Sequence, residues 1–268
     1  MEVRKTYKIF VNGEFVRSES GRAYRPDGHV NVPRGSRKDL RDAVRAARTA
    51  FSGWSARTAM NRGQILYRAA EMLDSRTAQF TDLLGGGAKA KREVEQAVET
   101  LVWYAGWTDK LPQFAGTVNP VAGPYFNFTL PEPTGVVGIV APEKPALAGL
   151  MRRIAPALCG GNVIVAIAPE SIPLPALTLA EVFATSDFPA GVVNMLSGQR
   201  REMLPWLASH MDVNAIDIAG CTPAEVKAAE AAAADNVKRV IKVASDEASP
   251  YLITAFMEMK TVWHPIGV

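Results

Sequence analysis

The sequence predicts an α/β fold: a Rossmann-like, doubly wound parallel sheet with helices on both faces, plus a small antiparallel bridging or oligomerisation sheet that includes the C-terminal strand. Three observations predict it. From residue 134 onward, short apolar β-branched runs alternate with helical stretches through short linkers, the rhythm of βαβ units. Ahead of that lie three amphipathic helical stretches of the kind that pack on a sheet. Two extended segments, PYFNFTLPEP and the C-terminal FMEMKTVWHP, stand outside the rhythm. At 268 residues the chain is long enough to bury a large core.

In order, YKIFVNGEFVRSESGRAYRP alternates apolar and polar residues about Asn12-Gly13, a hairpin signal. Ser36 caps a helix whose apolar positions Leu40, Val44, Ala47 and Phe51 recur three or four apart. NRGQILYRAAEMLDSR and REVEQAVETLVWYAGWTDKL repeat the amphipathic pattern. PYFNFTLPEPTGVVGIVAP reads as two strands broken at Pro131-Glu132-Pro133, the second buried on both faces. Helix ALAGLMRRIAPALC, strand NVIVAIA, helix LPALTLAEVFAT, strand GVVNMLS, helix EMLPWLASH, strand VNAIDIA, helix PAEVKAAEAAAA and strand RVIKVA then follow. The segment from Tyr251 to the end reads as one terminal strand. The expected division is a coenzyme-binding-like body over 1–119 and 134–248, with an arm over 120–133 and 249–268.

Hydrophobic residues make up 48% and charged residues 21%, which leaves no room for a long disordered tail. The 30 Lys and Arg are interleaved with 27 Asp and Glu, so no basic stripe offers a nucleic-acid surface. The N-terminus lacks an apolar signal region and no apolar run reaches membrane-spanning length, so no membrane association and a cytoplasmic location are expected. Cys159 and Cys221 lack metal or redox spacing, and His29, His210 and His264 are scattered, so neither a disulfide nor a metal is expected. Met1 and the ordinary start favour a free-standing chain.

FVNGEFV, AVRAARTAF, WYAGWTDKL, PTGVVGIVAP, IAPALCGGNVIV, PLPALTLAEVF, FPAGVVNMLSG, NVKRV and the tail FMEMKTVWHPIG occur in the same order as landmarks of the NAD(P)-dependent aldehyde dehydrogenase superfamily. The chain resembles that family over nearly its whole length. Its nearest likeness in kind is the degenerate second half of double-length aldehyde dehydrogenases. The resemblance implies that the family's catalytic domain is missing, because that domain lies between the equivalents of Val243 and Phe256, where only a short segment is present.

Aldehyde oxidation in the family needs a cysteine thiolate whose thiohemiacetal delivers hydride to nicotinamide. Cys159 falls at a packing position, and Cys221 stands where the family's FTGST motif has Ser, so neither matches that nucleophile. The oxyanion-stabilising Asn of PWNFP corresponds to Lys144 and the preceding Trp to Glu143, expected to be a solvated pair. The general-base Glu would fall near Val243 or Ala244, with Asp246 and Glu247 as turn residues. For the coenzyme, the ribose-binding Lys corresponds to Ile167 while Glu170 remains; Gly198 and Gly220 remain, and the last Gly of the pyrophosphate turn corresponds to Glu225.

Glu170, Gly198 and Gly220 are therefore the candidate residual cofactor-binding residues. No catalytic residue, metal site or tight cofactor is expected, and NAD(P) binding is expected to be weak. The expected function is that of a non-catalytic partner or assembly subunit, forming a homo-oligomer or a hetero-oligomer with an intact aldehyde dehydrogenase through the bridging strands. The alternatives are an NAD(P) sensor, or a component of an aldehyde oxidoreductase whose catalytic cysteine another subunit supplies.

Overall fold

The computed structural model describes residues 5–26, 28–242 and 247–267. The chain begins with a hairpin of β1 (Ile9–Val11) and β2 (Glu14–Val16), turned by Asn12 and Gly13 at φ 54° and 79°. Both central residues are left-handed, as a tight turn matching the strand twist requires. β3 (Ala23–Tyr24) and β4 (Val32–Pro33) pair antiparallel, and α1 (Arg37–Ser55) follows. Ser36 and Asp39 form the capping box that starts α1, and Asp39 also accepts from the Ser18 hydroxyl.

Next come α2 (Ala59–Asp74), α3 (Thr77–Leu83), α4 (Gly87–Ala105) and α5 (Leu111–Ala115), then β5 (Thr117–Asn119), β6 (Tyr125–Pro133) and β7 (Val136–Val140). The alternating half of the chain supplies α6 (Ala148–Cys159), β8 (Val163–Ile167), α7 (Leu174–Ala184), β9 (Val193–Leu196), α8 (Arg200–Ser209), β10 (Ala215–Asp217), α9 (Pro223–Ala234) and β11 (Arg239–Ile241). It closes with α10 (Pro250–Thr254) and β12 (Met257–Pro265).

The main sheet has the order β11-β10-β7-β8-β9-β1-β2. Its five central strands are parallel, and the N-terminal hairpin adds an antiparallel edge through Phe10 opposite Met195. β7 and β8 are buried at every position, which is why they read as unbroken apolar runs rather than alternations. Helices α1, α8 and α9 cover one face; α6 and α7, backed by α2, α3 and α4, cover the other. Gly138 in β7 lets α8 settle on the sheet, because a Cβ there would lie 2.9 Å from the Leu207 side chain.

The chain leaves β7 towards β8 and later returns to β7's other side with β10. The order therefore reverses between β7 and β10, and the loops after them run to opposite faces. This reversal opens the crevice where doubly wound sheets hold their ligands.

The second sheet, β12-β6-β5, is the arm. Here two details differ from the sequence reading. β6 continues through Pro131-Glu132-Pro133 to a break at Thr134-Gly135. The prolines are tolerated because Thr134 N–H donates to the Phe256 carbonyl and Ile266 N–H to that of Pro124, so even-numbered β6 residues bond to β12. The odd-numbered prolines lie on the side of β5, which begins opposite Thr129 and so does not reach them. The terminal segment is also not all strand: Ser249 caps α10 through the Tyr251 N–H and Pro250 takes its first position, a helix-start signal. Leu252 and Ile253 are buried against α6, and β5 pairs with β6 in the second sheet.

Candidate functional site

Loops at the C-terminal ends of β7, β8, β9 and β10 meet in an open cleft of about 610 Å³ lined by residues including Tyr24, Glu143, Glu170, Arg200 and Glu225. Arg200 is the first residue of α8 and is 7% exposed. Its guanidinium reaches into the β7–β10 crevice and donates to the carbonyls of Gly220 (2.8 Å) and Ala141 (3.0 Å) and to Glu143 Oε1 (2.7 Å). Glu225 Oε2 lies 3.6 Å from it.

Glu143 is thus no solvated partner of Lys144. Its Oε1 accepts the Glu170 N–H at 2.9 Å and its Oε2 the Ser171 N–H at 3.0 Å and hydroxyl. Burial pushes the Glu143 carboxyl up, but the Ser171 hydroxyl and N–H, the Glu170 N–H and Arg200 outweigh it and hold it below the ordinary range. Lys144 is exposed, at the rim of a separate cavity of about 460 Å³, where Glu93 caps the start of α6 by accepting the Leu147 N–H at 2.8 Å.

The three residues singled out for a cofactor are placed as follows. Glu170 lines the cleft, but its Oε2 accepts the Arg200 N–H at 2.9 Å and so caps α8. Gly220 is pressed onto the loop after β7; a Cβ there would lie 2.5 Å from the Val140 carbonyl oxygen. Gly198 is buried beneath Met203, whose Sδ would be 2.6 Å from a Cβ, and faces Gly35 rather than the cleft. Ile167 ends β8 fully buried, and Cys221 is half-buried beside Glu225. The Tyr24 hydroxyl at the cleft wall is pushed up by burial and by the charges of Glu170 and Glu143.

A dinucleotide does not fit these residues. The first turn of α9, where a phosphate would meet free N–H groups, is closed by a capping box in which the Glu225 carboxylate accepts the Thr222 N–H at 2.8 Å. Three carboxylates surround the crevice, and the space between its loops is taken by Arg200. Burial raises both thiols to about 12, with Glu225 adding to the effect at Cys221, so each stays protonated near neutrality. Val243, Ala244 and Asp246, the region expected to match the general base, lie outside the described residues; Glu247 is exposed.

The sequence profile of the aldehyde dehydrogenase family matches residues 22–255. The chain belongs to the aldehyde dehydrogenase family. It is similar to retinal dehydrogenase 2 of Mus musculus, 36% identical over 255 residues, covering 90% of this chain and 48% of that protein. It is also similar to omega-crystallin of Enteroctopus dofleini, 34% identical over 249 residues, with 88% and 50% covered. Among solved structures, the NAD+ complex of aldehyde dehydrogenase from Bacillus cereus superposes with a TM-score of 0.81 at 28% identity, covering 88% of this chain and 50% of that one. PnpE from Pseudomonas sp. WBC-3 gives 0.80 at 27%, with 88% and 50% covered. The chain spans about half the length of the curated relatives it matches.

For a member of this family, Arg200 is the residue the sequence reading overlooked. It had a signal: Arg200-Arg201 opens a helix at the end where the macrodipole disfavours cations, so a strong compensating contact was to be expected. Among the described residues no His, Cys, Asp and Glu cluster could hold a metal ion, and no helix is long and apolar enough to cross a membrane.

Proposed function

We propose that this chain acts as a non-catalytic partner subunit, assembling through its arm with another copy or with an intact aldehyde dehydrogenase. The observation that carries this reading is the surface of the β12-β6-β5 sheet. Val118, Phe128 and Val262 stand in one cross-strand row, with Phe126 and Leu130 beside them on the same face. All but Phe128 are more than two-fifths exposed. An apolar sheet face next to an unpaired nine-residue edge is an aggregation hazard unless a partner covers it.

The chemistry of the body supports the same reading. Both cysteines are held as thiols, and the crevice holds a guanidinium and three carboxylates in place of an anion site. A sensor for NAD(P) would need that crevice open.

The test is to express the chain with and without an intact aldehyde dehydrogenase from the same source and follow mass by light scattering after size exclusion. The reading expects a complex larger than one chain, disrupted by Val262→Asp. A strictly monomeric chain that ignores the intact enzyme, and leaves its dehydrogenase rate unchanged when added back, overturns it.

A further inference from the structure

We propose that the crevice between the ends of β7 and β10 is a guanidinium receptor, filled from within by Arg200, and that this internal ligand clasps the two halves of the main sheet. The proposal stands on the crevice geometry alone and is independent of the assembly reading.

Every group that meets the Arg200 terminus is an oxygen acceptor. Two are backbone carbonyls, of Ala141 after β7 and of Gly220 after β10, and two are carboxylates, of Glu143 and Glu225. They address both terminal nitrogens, a division that suits a planar fork and not the single point charge of an ammonium. The acceptors are fixed by contacts that do not involve the guanidinium. Glu143 is held by the Glu170 and Ser171 N–H groups, Glu225 by Thr222, and Gly220 by its close approach to the Val140 and Ala141 backbone. The site is therefore organised before the side chain enters it.

The clasp has a location that gives it leverage. Ala141 belongs to the half of the sheet that contains β7, β8 and β9; Gly220 belongs to the half that contains β10 and β11. At this end of the strands one side chain bridges both, and its own N–H is tied to Glu170 after β8. Truncating it leaves carboxylates facing one another across a small, oxygen-lined hole. That hole has the charge and shape for a small alkylguanidinium and rejects phosphate.

The experiment is chemical rescue of Arg200→Ala, read by thermal midpoint. The expected result is a midpoint several degrees below the wild type that rises saturably with millimolar ethylguanidinium, rises much less with ethylammonium, and does not respond to ADP or NAD+. An equal response to the two cations, or no response to either, overturns the receptor. A saturable midpoint rise of the wild-type chain with NAD+ or ADP overturns internal occupancy.

Should Arg200→Ala not fold, Arg200→Lys keeps the charge and loses the fork. The clasp then requires faster hydrogen exchange than wild type at residues 218–222 with β8 unchanged. Exchange and midpoint identical to wild type overturn it.

Discussion

The buried side chain of Asn162 donates from Nδ2 to the Phe256 carbonyl at 3.0 Å, a contact that spans ninety-four positions of sequence and ties the root of β12 to the body. The same side chain donates to the Ala157 carbonyl at 3.1 Å, and its Oδ1 accepts the Gly135 N–H at 2.9 Å. One amide thus anchors the C-terminal end of α6, the start of β7 just past β6, and the approach to β12. It is fully buried, so none of these partners can turn to water if it is removed.

Asn162→Ala strands a buried N–H at Gly135, while the Phe256 carbonyl keeps the Thr134 N–H and hydroxyl, and is expected to cost about 1–3 kcal/mol. Urea unfolding measures the loss. Hydrogen exchange should quicken first around Gly135 and Phe256, at the roots of the arm; an evenly distributed increase would argue against an anchoring role.

Asp217, fully buried at the end of β10, gives a pH signature. Burial raises its carboxyl to about 6 from an ordinary value of 3.8, against the opposing pull of Arg153 at 3.6 Å and the Ala219 N–H. Between those values the folded chain keeps a proton that the unfolded chain has released. Stability from this group is therefore highest below about pH 4 and falls, by about 3 kcal/mol in total, as pH rises to about 6. Asp217→Asn removes that component. The wild-type minus variant difference in unfolding free energy should decline between pH 4 and 6 and be flat above; a difference that rises over that range contradicts the assignment.

The sequence made the alternating half of this fold legible because each parallel strand is an unbroken apolar run and each helix has one apolar face. It did not show α10, since Tyr251, Ile253 and Thr254 are β-prone residues; the cap at Ser249 and Pro250 outweighed propensity. At the crevice, position matching located Glu143, Glu170, Gly220 and Glu225. It missed what joins them, because Arg200 reaches Gly220 and Glu143 across twenty and fifty-seven positions. A side chain that closes a site on itself leaves no spacing pattern.

The thiols supply a reactivity test. With both raised to about 12, alkylation by iodoacetamide at pH 8 should run about 10³-fold slower than for a free cysteine. Intact-mass measurement over time reads it. Prompt single labelling of the native chain, mapped to Cys221, would show an activated thiol there.

The free edge of β12 permits a sharper experiment, because the two sides of the strand are chemically distinct. Even-numbered residues from Phe256 to Ile266 bond to β6, so the N–H groups of Met259, Thr261 and Trp263 point away from it, along the open edge. Proline at an odd position deletes a donor from that edge while sparing the internal ladder; at an even position it does the reverse. If a partner pairs by strand addition, Thr261→Pro should abolish assembly and lower the thermal midpoint by only a few degrees, its internal loss being the side-chain bond to Thr129. Val262→Pro should instead detach β12 from β6, which limited proteolysis would detect as cleavage within the last strand. Assembly that survives Thr261→Pro but is lost in Val262→Asp would place the contact on the Val118–Phe128–Val262 face and take it off the edge.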